Sequence, residues 1–552
     1  MKEKVRKAII KAVKASGYEV PALFSVDAPP RPEFGDFATN AALMIAGSRP
    51  ELIAREAADN IALNLQKAEV VAKAEVAGPG FINITLKTGL YLSELKNILE
   101  RGSSYGRSGV GRGRKINVEY ISANPTGPLH IGNARGGPIG EAVANLYEFL
   151  GCDVVREFYV NDVGGQIDRL AETLVYWYEV KDDDRIVFPE GGYRGDYIRE
   201  LSEQIQGEAA AELTRIDEHT DLLKLFREKG LALLIGQIKQ DIALLGINFD
   251  RWSYQSEIQA GGKSKKVISR LDKNGATIRR EGALWFKNPS DPEFRDKESV
   301  LRKSDEAGTL TYFADDIAYH IDKFERGRDL LIDVWGANHH GHVPRLKAAL
   351  GALGYAGERL NIILYQYVRL KNAGEVIKMG KRFGTFVTLR QIIEAGVAPD
   401  AFKYFILSQN PNTPMDFDLA LARDTSEKNP VYYIKYAHAR IASILRKAKQ
   451  GDDIIADAPD LALLTNQKET ALYKELVKFP ELIAEIGGSY QIQMLCHYSY
   501  RLATLFHDFY GHCPVLSADT ALSRARLALI LATKTVFANA LAILDIEAPE
   551  RM

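Results

Sequence analysis

Residues 115–160 read KINVEYISANPTGPLHIGNARGGPIGEAVANLYEFLGCDVVREFYV, and this stretch decides the fold class. Apolar residues alternate over 116–120, which predicts a strand, and a loop rich in Gly and Pro follows. From 139 to 150 apolar residues recur every three or four positions, which predicts a helix that closes at the next glycine. Residues 154–160 predict the next strand. A strand, a helix and a strand in this order form a βαβ unit, so we expect a parallel sheet.

A second passage of the same kind lies later in the chain, where we predict a strand at 330–335, a helix at 343–353 and a strand at 360–368. The residues between the two passages, about 165–300, are mostly helical in pattern and charged. We interpret them as a helical insertion between two halves of one nucleotide-binding fold. The fold class that follows is α/β, with a Rossmann-type parallel-sheet domain over 115–425.

Further domains are predicted on both sides of this sheet. Residues 1–88 have the pattern of a small α/β module, because helical patterns give way to a short alternating strand within Gly78 to Leu86. Residues 89–114 are expected to be a basic, Gly-rich linker, which suits either a phosphate partner or plain solvation. From 426 to 552 nearly every segment has the pattern of an amphipathic helix, which predicts a separate all-α bundle.

The composition limits the classes of function. The 552 residues contain 71 Lys and Arg against 72 Asp and Glu, a net charge of 71 − 72 = −1, so any surface for nucleic acid must be local. Three cysteines, far apart in sequence, predict neither a disulfide framework nor a thiolate zinc site, which favours the cytoplasm. No run approaches the roughly 18 apolar residues of a membrane-spanning helix, so we expect no membrane partner. Residues 1–20 predict an amphipathic helix, with an organellar transit peptide as the alternative.

The loop of the first βαβ unit is the first candidate site. Ligands of open α/β sheets bind where the strands end, and a helix N-terminus offers backbone N–H groups to phosphate. Gly132 would let a nucleotide approach the backbone, and His130 could donate to a phosphate whose charge grows in the transition state. The alternative is a plain turn with a satisfied histidine. The residues predicted to form this nucleotide site are Ala123, Asn124, Pro125, Thr126, Gly127, Pro128, Leu129, His130, Ile131, Gly132 and Asn133.

The second candidate site is VIKMGKRFGTFVTL, residues 376–389, a basic loop ahead of a helix that Thr388 and Gln391 would cap. A mobile loop that carries Lys378 and Lys381 can lay two ammonium groups on a triphosphate and follow a departing pyrophosphate. A solvated surface loop is the alternative, and it is the commoner meaning of such a sequence taken alone.

Taken together, the two segments resemble a known pair of signatures. HIGN, followed much later by KMGK, resembles the HIGH and KMSK signatures of class I aminoacyl-tRNA synthetases. Other segments, from the N-terminal module to the bundle, are similar to arginyl-tRNA synthetases. These segments are GDFATNAALMIA (35–46), VEYISANPTGPLHIGNARG (118–136), FYVNDVGGQI (158–167), TYFADDIAYHIDKFERG (311–327), VWGANHHGHVPRLKAALGALG (334–354) and TPMDFDLALARDTSEKNPVYYIKYAHARI (413–441).

The resemblance implies a two-step reaction in which ATP, with Mg²⁺, activates L-arginine and the arginyl group then moves to the 2′-hydroxyl of tRNA. His130, Lys378 and Lys381 would act on the phosphates, by positioning and charge stabilisation, as catalytic residues. The C-terminal bundle would bind the anticodon region of the tRNA, and the N-terminal module its elbow. The chain would act in the cytoplasm as a monomer, without a metal site of its own.

The resemblance also implies an arginine pocket formed by Asn124, Tyr312, Asp316 and His339. A planar guanidinium is matched best by a carboxylate that accepts two of its donors, which is the role expected of Asp316. Without the resemblance, a core tyrosine and a helix-surface aspartate would be preferred. Phe81 and Asn83 align with an aromatic and an amide that contact the tRNA in some relatives, although a core strand accounts for Phe81 equally well.

Two letters depart from the family pattern, since Asn133 stands where His is usual and Gly380 where Ser is common. Neither change removes a charge, but a non-catalytic RNA-binding protein with this fold, or another class I synthetase, stays open as an alternative. His339, His340 and His342 could suggest zinc, yet no cysteine lies nearby and the resemblance already explains this stretch. We therefore expect no metal site there.

Overall fold

The structure is a computed structural model in which residues 1–49, 51–180, 186–289, 299–372, 374–376, 387–449 and 459–552 are described. The first module packs three helices on a four-stranded antiparallel sheet of order β1-β2-β4-β3, which confirms a small α/β unit. Its elements are α1 (Lys2–Ala15), β1 (Val26–Asp27), β2 (Phe37–Thr39), α2 (Ala41–Ser48), α3 (Ala54–Leu65), β3 (Val71–Ala77) and β4 (Phe81–Leu86).

The segment predicted as a linker, 89–114, is partly helical and packed, so that prediction was wrong in its first half. Helix α4 (Thr88–Arg101) buries Tyr91, Leu95 and Ile98, one residue per turn, and packs on the C-terminal bundle. In the basic stretch that follows, Tyr105 is fully buried with its ring stacked near that of Phe479. Helix α4 and the burial of Tyr105 were not predicted, because the many glycines after residue 101 were taken to mark the whole segment as a linker.

The first βαβ unit is present as predicted. Strand β5 (Lys115–Glu119) is followed by the short helix α5 (Ile131–Ala134), then α6 (Gly136–Phe149) and β6 (Asp153–Val160). β5 and β6 pair in parallel from Lys115↔Asp153 to Glu119↔Glu157. Because α6 is buried along nearly its whole length, it acts as a core helix of the domain.

The predicted insertion at 165–300 is mostly helical, but it also contains one strand of the main sheet and part of a small antiparallel sheet. Its first helices are α7 (Gly165–Glu179), α8 (Asp196–Glu208), α9 (Ala210–Leu213) and α10 (His219–Ala243). β7 (Arg251–Tyr254) then pairs in parallel with β6 and belongs to the main sheet. After it come α11 (Gln255–Ala260), α12 (Lys263–Lys273) and an antiparallel sheet of β8 (Thr277–Arg280), β9 (Ala283–Phe286) and β10 (Val300–Arg302). Strands of three or four residues carry too little periodicity to be seen in a charged helical background.

The second half completes the sheet with α13 (Tyr312–Glu325), β11 (Leu330–Gly336), α14 (His342–Ala352) and β12 (Leu360–Tyr365). The five strands are all parallel, in the order β12-β11-β5-β6-β7. Adjacent to them lie β13 (Val368–Asn372), β14 (Glu375–Val376), α15 (Leu389–Glu394), α16 (Pro399–Leu407), β15 (Met415–Asp418) and α17 (Leu419–Arg423). β5 and β11 are neighbours, so the order along the sheet reverses between them and the strand ends frame a crevice.

The C-terminal region is the predicted all-α bundle, with α18 (Pro430–Lys449), α19 (Gln467–Leu476), α20 (Phe479–Ser489), α21 (Gln493–His512) and α22 (Thr520–Ile543). α22 is the one described helix long and apolar enough to cross a membrane by length and composition, and 67% of its most apolar window is buried in the protein. The bundle shares one hydrophobic core with the sheet domain. The hydroxyl of Tyr147 on α6, for example, donates to the carbonyl of Gly487 at 2.8 Å.

Candidate active site

The loop after β5 begins with two residues in the left-handed backbone region. Ile121 has φ 65° and Ser122 has φ 39°, which is costly for a β-branched side chain. The Ser122 hydroxyl helps to hold this turn, because it donates to Glu119 at 2.9 Å and accepts from the backbone N–H of Tyr159 at 3.1 Å. The strained turn directs the chain from the end of β5 across the sheet edge, where the crevice lies.

The predicted nucleotide loop is only partly accessible. The side chains of Ala123, Pro125, Leu129 and Ile131 are buried, so these residues can reach a ligand only through the backbone. Asn124 is exposed. The half-buried members are Thr126, Gly127, Pro128, His130, Gly132 and Asn133. Tyr197 of α8 covers part of the loop, since its hydroxyl donates to the carbonyl of Thr126 at 2.9 Å.

His130 is the N-cap of α5. The backbone N–H of Asn133 donates to Nδ1 of His130 at 3.2 Å, so in the neutral ring the proton is on Nε2. Gly132 lies against this ring, because a Cβ added there would be 3.0 Å from ring atoms of His130. The glycine therefore leaves room for the histidine itself, a reason that the sequence prediction did not consider. His130 is thereby an oriented N–H donor.

Main-chain hydrogen bonds join this loop to Val387 and Leu389, at the end of the second candidate site. The N–H of Leu389 donates to the carbonyl of Leu129 at 2.8 Å, and the N–H of Ile131 donates to that of Val387 at 3.2 Å. His130 and Thr388 thus form an antiparallel bridge. Thr388 also begins α15 with a reciprocal capping box to Gln391, as predicted. The described end of the second candidate site, 387–389, therefore lies beside the His130 loop.

Lys378 and Lys381 lie in residues 377–386, outside the described part of the chain. The described residues on either side are β14, which pairs with β13, and Val387. The contact of Lys378 and Lys381 with phosphates therefore stays a prediction.

Asn124 forms a polar cluster with two residues of the FYVNDVGGQI segment. Nδ2 of Asn161 donates to Oδ1 of Asn124 at 2.6 Å, and Nδ2 of Asn124 donates to Oε1 of Gln166 at 2.9 Å. Neither Asn161 nor Gln166 was predicted as a site residue, although both lie in the FYVNDVGGQI segment, near its glycine pair 164–165. The cluster fixes the amide of Asn124 at the junction of the β5 and β6 ends.

Tyr312 is 56% exposed at the start of α13, so it is not a core tyrosine. Its hydroxyl lies over Gly164, where an added Cβ would be 2.4 Å from the phenolic oxygen. Gly164 also has φ 93°, a conformation that favours glycine. The phenol therefore stands beside the loop that carries Gln166, which brings it to the same end of the sheet as Asn124.

Asp316 lies one turn after Tyr312, and both of its carboxylate oxygens are occupied. His320 faces Oδ1 at 3.1 Å through Nδ1, and Nε2 of His342 forms a very short hydrogen bond to Oδ2. Burial alone would raise the pKa of Asp316, but His320 and His342 outweigh it and hold the pKa well below its usual range. Asp316 is thus a carboxylate with 23% of its side chain exposed, which can accept further donors from the crevice.

His320 begins a buried network of alternating charge. Its Nε2 is 2.7 Å from Oδ2 of Asp333 on β11, and Oδ1 of Asp333 accepts from Nζ of Lys323 at 3.0 Å. Lys323 also donates to Glu119 at the end of β5. The network therefore ties α13 to the two central strands and ends at the surface with Asp316. Neither His320 nor His342 was predicted as a site residue, although position 320 lies one helical turn after 316.

His339 is exposed in the turn after β11, with its ring centre 5.9 Å from that of Trp335. Trp335 is in turn 5.7 Å from the ring of His342, so contacts run from His339 to Asp316. His342 is engaged with Asp316 instead of its histidine neighbours. Over the described ranges, no three His, Cys, Asp or Glu side chains are placed to hold a metal ion together.

Phe81 and Asn83 share the outer face of β4. Ile82, Ile84 and Leu86 point into the core of the module, whereas Phe81 is 41% exposed. The alternative of a core strand therefore holds for β4, which is an inner strand of the sheet, but the Phe81 side chain is not part of the core.

Comparison with known proteins follows this architecture domain by domain. The profile of the arginyl tRNA synthetase N terminal domain matches residues 1–86, and that of the class I (R) tRNA synthetase catalytic domain matches 94–416. The profile of the DALR anticodon binding domain matches 434–552. Together they span nearly the whole chain.

Similar proteins agree over their full length. The arginine–tRNA ligase of Shouchella clausii (strain KSM-K16) is 41% identical over 558 residues, which cover 100% of this chain and 98% of the relative. That of Caldanaerobacter subterraneus subsp. tengcongensis is 40% identical over 565 residues, covering 100% and 99%. The structure of Thermus thermophilus arginyl-tRNA synthetase shares the fold, with a TM-score of 0.75, 23% identity and full coverage of both chains. The resemblance read from the motifs is thus confirmed, and the chain belongs to the arginyl-tRNA synthetases, the class I arginine–tRNA ligases.

Proposed function

We propose how this arginine–tRNA ligase carries out its two steps with the residues described above. In the first step, a carboxylate oxygen of arginine attacks the α-phosphorus of ATP and the bond to the β-phosphate oxygen breaks, which releases pyrophosphate. In the second step, the 2′-hydroxyl oxygen of the terminal ribose of tRNA attacks the arginyl carbonyl carbon. The bond from that carbon to the phosphate oxygen breaks, which releases AMP and the hydroxyl proton. The single intermediate is arginyl-adenylate, and the enzyme forms no covalent bond to it.

The first step relies on positioning and on charge stabilisation. His130 would donate from Nε2 to a phosphate oxygen, because its Nδ1 is already an acceptor for the N–H of Asn133. Lys378 and Lys381 would follow the negative charge that moves onto pyrophosphate. The main-chain link between Leu129 and Leu389 supports this proposal, because it holds the start of α5 beside the exit of the lysine loop. The other residues predicted for the nucleotide loop would contact ATP through backbone groups or through van der Waals packing.

Arginine would be held at both ends. Asp316 would accept N–H donors of the guanidinium, with the phenol of Tyr312 beside it. Asn124 and His339 would contact the α-amino and carboxylate groups. The exposed edge of Asp316, between the Tyr312 end of α13 and the ring of His342, supports the guanidinium assignment. The divalent cation would be Mg²⁺ bound mainly through ATP phosphates, which it would partly neutralise.

The tRNA would contact both ends of the chain. On the first module, Phe81 would stack on an unpaired base and Asn83 would read a base edge, which their shared outward face supports. On the bundle, Arg440 lies over the rings of Tyr436 and Tyr510, at 5.1 and 5.5 Å from their centres. The rings of such a surface can stack on unpaired bases of the anticodon region, and its guanidinium can pair with a phosphate beside them.

The proposal also includes the chain's organisation and setting. The domains would be an elbow-binding module at 1–88, a catalytic domain at 115–425 and an anticodon-binding bundle at 426–552. The chain would work as a monomer in the cytoplasm, without a membrane partner. The free, buried thiols of Cys496 and Cys513 suit a reducing compartment.

The observation that carries the proposal is the placement of Asp316 and Tyr312 at the strand ends that also carry the His130 loop. Pyrophosphate exchange into ATP, measured with each of the twenty amino acids and with or without total tRNA, tests it. We expect arginine to be the one amino acid that supports exchange, and we expect this exchange to require tRNA, as is general in the family. Exchange driven by another amino acid, or none at all, would contradict it.

A further inference from the structure

The environment of His320 indicates a task beyond folding. The side chain is 1% exposed and lies between two carboxylates, Asp316 on its own helix and Asp333 on β11. Nδ1 faces the backbone carbonyl of Asp316 at 2.8 Å and its Oδ1 at 3.1 Å, and Nε2 faces Oδ2 of Asp333 at 2.7 Å. A neutral imidazole has one ring N–H and one lone pair, so it would leave a lone pair facing an acceptor. Both nitrogens therefore carry protons, and His320 is a cation.

His342, the other partner of Asp316, is different. Arg345 is buried and its guanidinium nitrogen lies 3.0 Å from Nδ1 of His342, so that ring nitrogen accepts. The proton is then on Nε2, which donates to Oδ2 of Asp316. A neutral His342 is enough to donate a hydrogen bond to Asp316. His320 supplies Asp316 with a hydrogen-bond donor and with a positive charge. The two histidines are thus not interchangeable supports of the carboxylate.

We propose that His320 is a positioning residue for arginine recognition: as a buried cation between Asp316 and Asp333, it keeps Asp316 ionised and fixes the edge that the guanidinium approaches. This inference rests on the proposed role of Asp316. It extends that role, because a carboxylate taken out of water binds a guanidinium well only if it stays charged and oriented. His320 itself touches no substrate.

The other groups around His320 leave this assignment intact. On α13, the charge of Lys323 lowers the pKa of His320, and on β11 a hydrogen bond to Asp333 raises it. The rings of Tyr319 and Trp335 pack against the imidazole. Glu119 on β5 contacts Lys323, and Arg345 on α14 contacts His342, so both lie in the next layer around His320. Burial disfavours the charged ring, but Asp316 outweighs it and raises the pKa of His320 to about 10. The ring is therefore charged throughout the working range of pH.

The test replaces His320 by glutamine, which fills similar space and donates a hydrogen bond but carries no charge. His219→Gln is the matched control, because His219 also pairs with a carboxylate, Glu179 at 3.1 Å, but on an exposed surface far along the chain. Arginine-dependent, tRNA-dependent pyrophosphate exchange is measured at pH 6 and pH 8 on both variants and on the wild type. Thermal unfolding checks that each variant is folded.

For His320→Gln we expect the KM for arginine to rise at least tenfold, with the KM for ATP within twofold of wild type. Loss of the cation lets burial raise the pKa of Asp316, so kcat/KM for arginine should fall more steeply towards acid pH. The ratio of the pH 8 value to the pH 6 value should be at least threefold larger than in wild type. A variant that is merely less stable would lose active protein without changing KM or pH profile, and that result overturns the proposal.

A measurement on the wild type covers the case in which the variant does not fold. If Asp316 is already ionised and His320 already protonated, arginine binding transfers no proton to or from them, so the calorimetric binding heat is equal in phosphate and Tris buffers. Release of about one proton per arginine would overturn the inference while leaving arginine exchange, and so the proposed function, intact. Absence of arginine-dependent exchange in the wild type would instead overturn both.

Discussion

The backbone N–H of Leu389 donates to the carbonyl of Leu129 at 2.8 Å, although the two residues belong to opposite halves of the catalytic domain. A main-chain link does not depend on side-chain identity, so any residue except proline at position 389 can supply its donor. The helical and antiparallel elements of 165–302 lie between the two halves without separating these segments. Such a link would let a basic loop distant in sequence serve the phosphate chemistry proposed for the His130 loop.

The first prediction concerns Lys381→Ala. The ammonium should interact most strongly when charge accumulates on departing pyrophosphate, so its loss should slow adenylate formation about 100-fold, as for other preorganised donors, with little change in ATP affinity. Single-turnover kinetics at saturating ATP measure the rate. Lys371→Ala is the control, because Lys371 is a strand residue paired with Asp416 at 2.7 Å. An unchanged rate would remove the catalytic role of the loop.

The second prediction concerns Gly164→Ala, which places a methyl group 2.4 Å from the hydroxyl of Tyr312 at φ 93°. The phenol or the loop must shift, at a cost of at least about 1 kcal/mol, so the KM for arginine should rise roughly fivefold or more. Gly236→Ala within α10 is the control, since an added Cβ there meets no atom within 4 Å. If both variants keep the wild-type KM, Tyr312 does not border the arginine pocket.

Periodicity was sufficient to predict the long elements of this fold. The βαβ unit of β5, α6 and β6 was visible because its apolar residues repeat with the period of each element over five to fourteen residues. β7 was not visible, because its four residues RWSY lie in a charged, helical stretch and are too few to show a period. Their place in the sheet follows from pairing with β6, which local sequence does not show. Helix α4 was missed for another reason: the glycines that follow it suggested a linker that started too early.

The site divided in the same way. The motif resemblance selected Tyr312 and Asp316, and the structure places both at the strand ends. It could not show that His320 and His342 share the carboxylate of Asp316, because the second contact joins residues of different helices and the charge of His320 depends on Asp333 from a strand. A side chain's protonation state follows from all its neighbours in space, which local sequence does not contain.

The third prediction concerns Phe81→Ala. Loss of a stacking ring should weaken tRNA binding by about 1–3 kcal/mol, which raises the KM for tRNA roughly fivefold or more, while Phe81→Trp should retain binding. Leu63→Ala is the control, because Leu63 is also exposed and apolar but lies on α3. Aminoacylation with varied tRNA gives the values. Equal tRNA KM for Phe81→Ala and wild type would assign Phe81 to another surface.

The fourth prediction concerns the bundle, where a point substitution is preferable to deletion because the bundle shares its core with the sheet domain. Arg440→Gln should weaken tRNA binding and reduce the slope of log affinity against log salt by about one, as expected for one lost phosphate contact. Lys224→Gln, at an exposed cation on α10, outside both proposed tRNA surfaces, serves as control. Filter binding at several salt concentrations measures both effects. An unchanged slope and affinity would place the anticodon region elsewhere.

The last prediction concerns Asp316→Asn, because it ties one residue to the identity of the substrate. The substitution keeps the shape but replaces one acceptor oxygen by an NH₂ group, which then faces either a histidine N–H or a guanidinium N–H. Breaking a buried charge pair should cost about 2–5 kcal/mol, or roughly 30-fold to several-thousand-fold in kcat/KM for arginine. The affinity for ATP should persist, since the nucleotide is assigned to the His130 loop.

Asp168→Asn, at an exposed aspartate paired with Arg227 at 3.2 Å, is the matched control for loss of charge. Steady-state kinetics on folded protein decide the matter: if kcat and the arginine KM of Asp316→Asn both stay within about twofold of wild type, a difference under roughly 0.5 kcal/mol, the guanidinium is bound by another group.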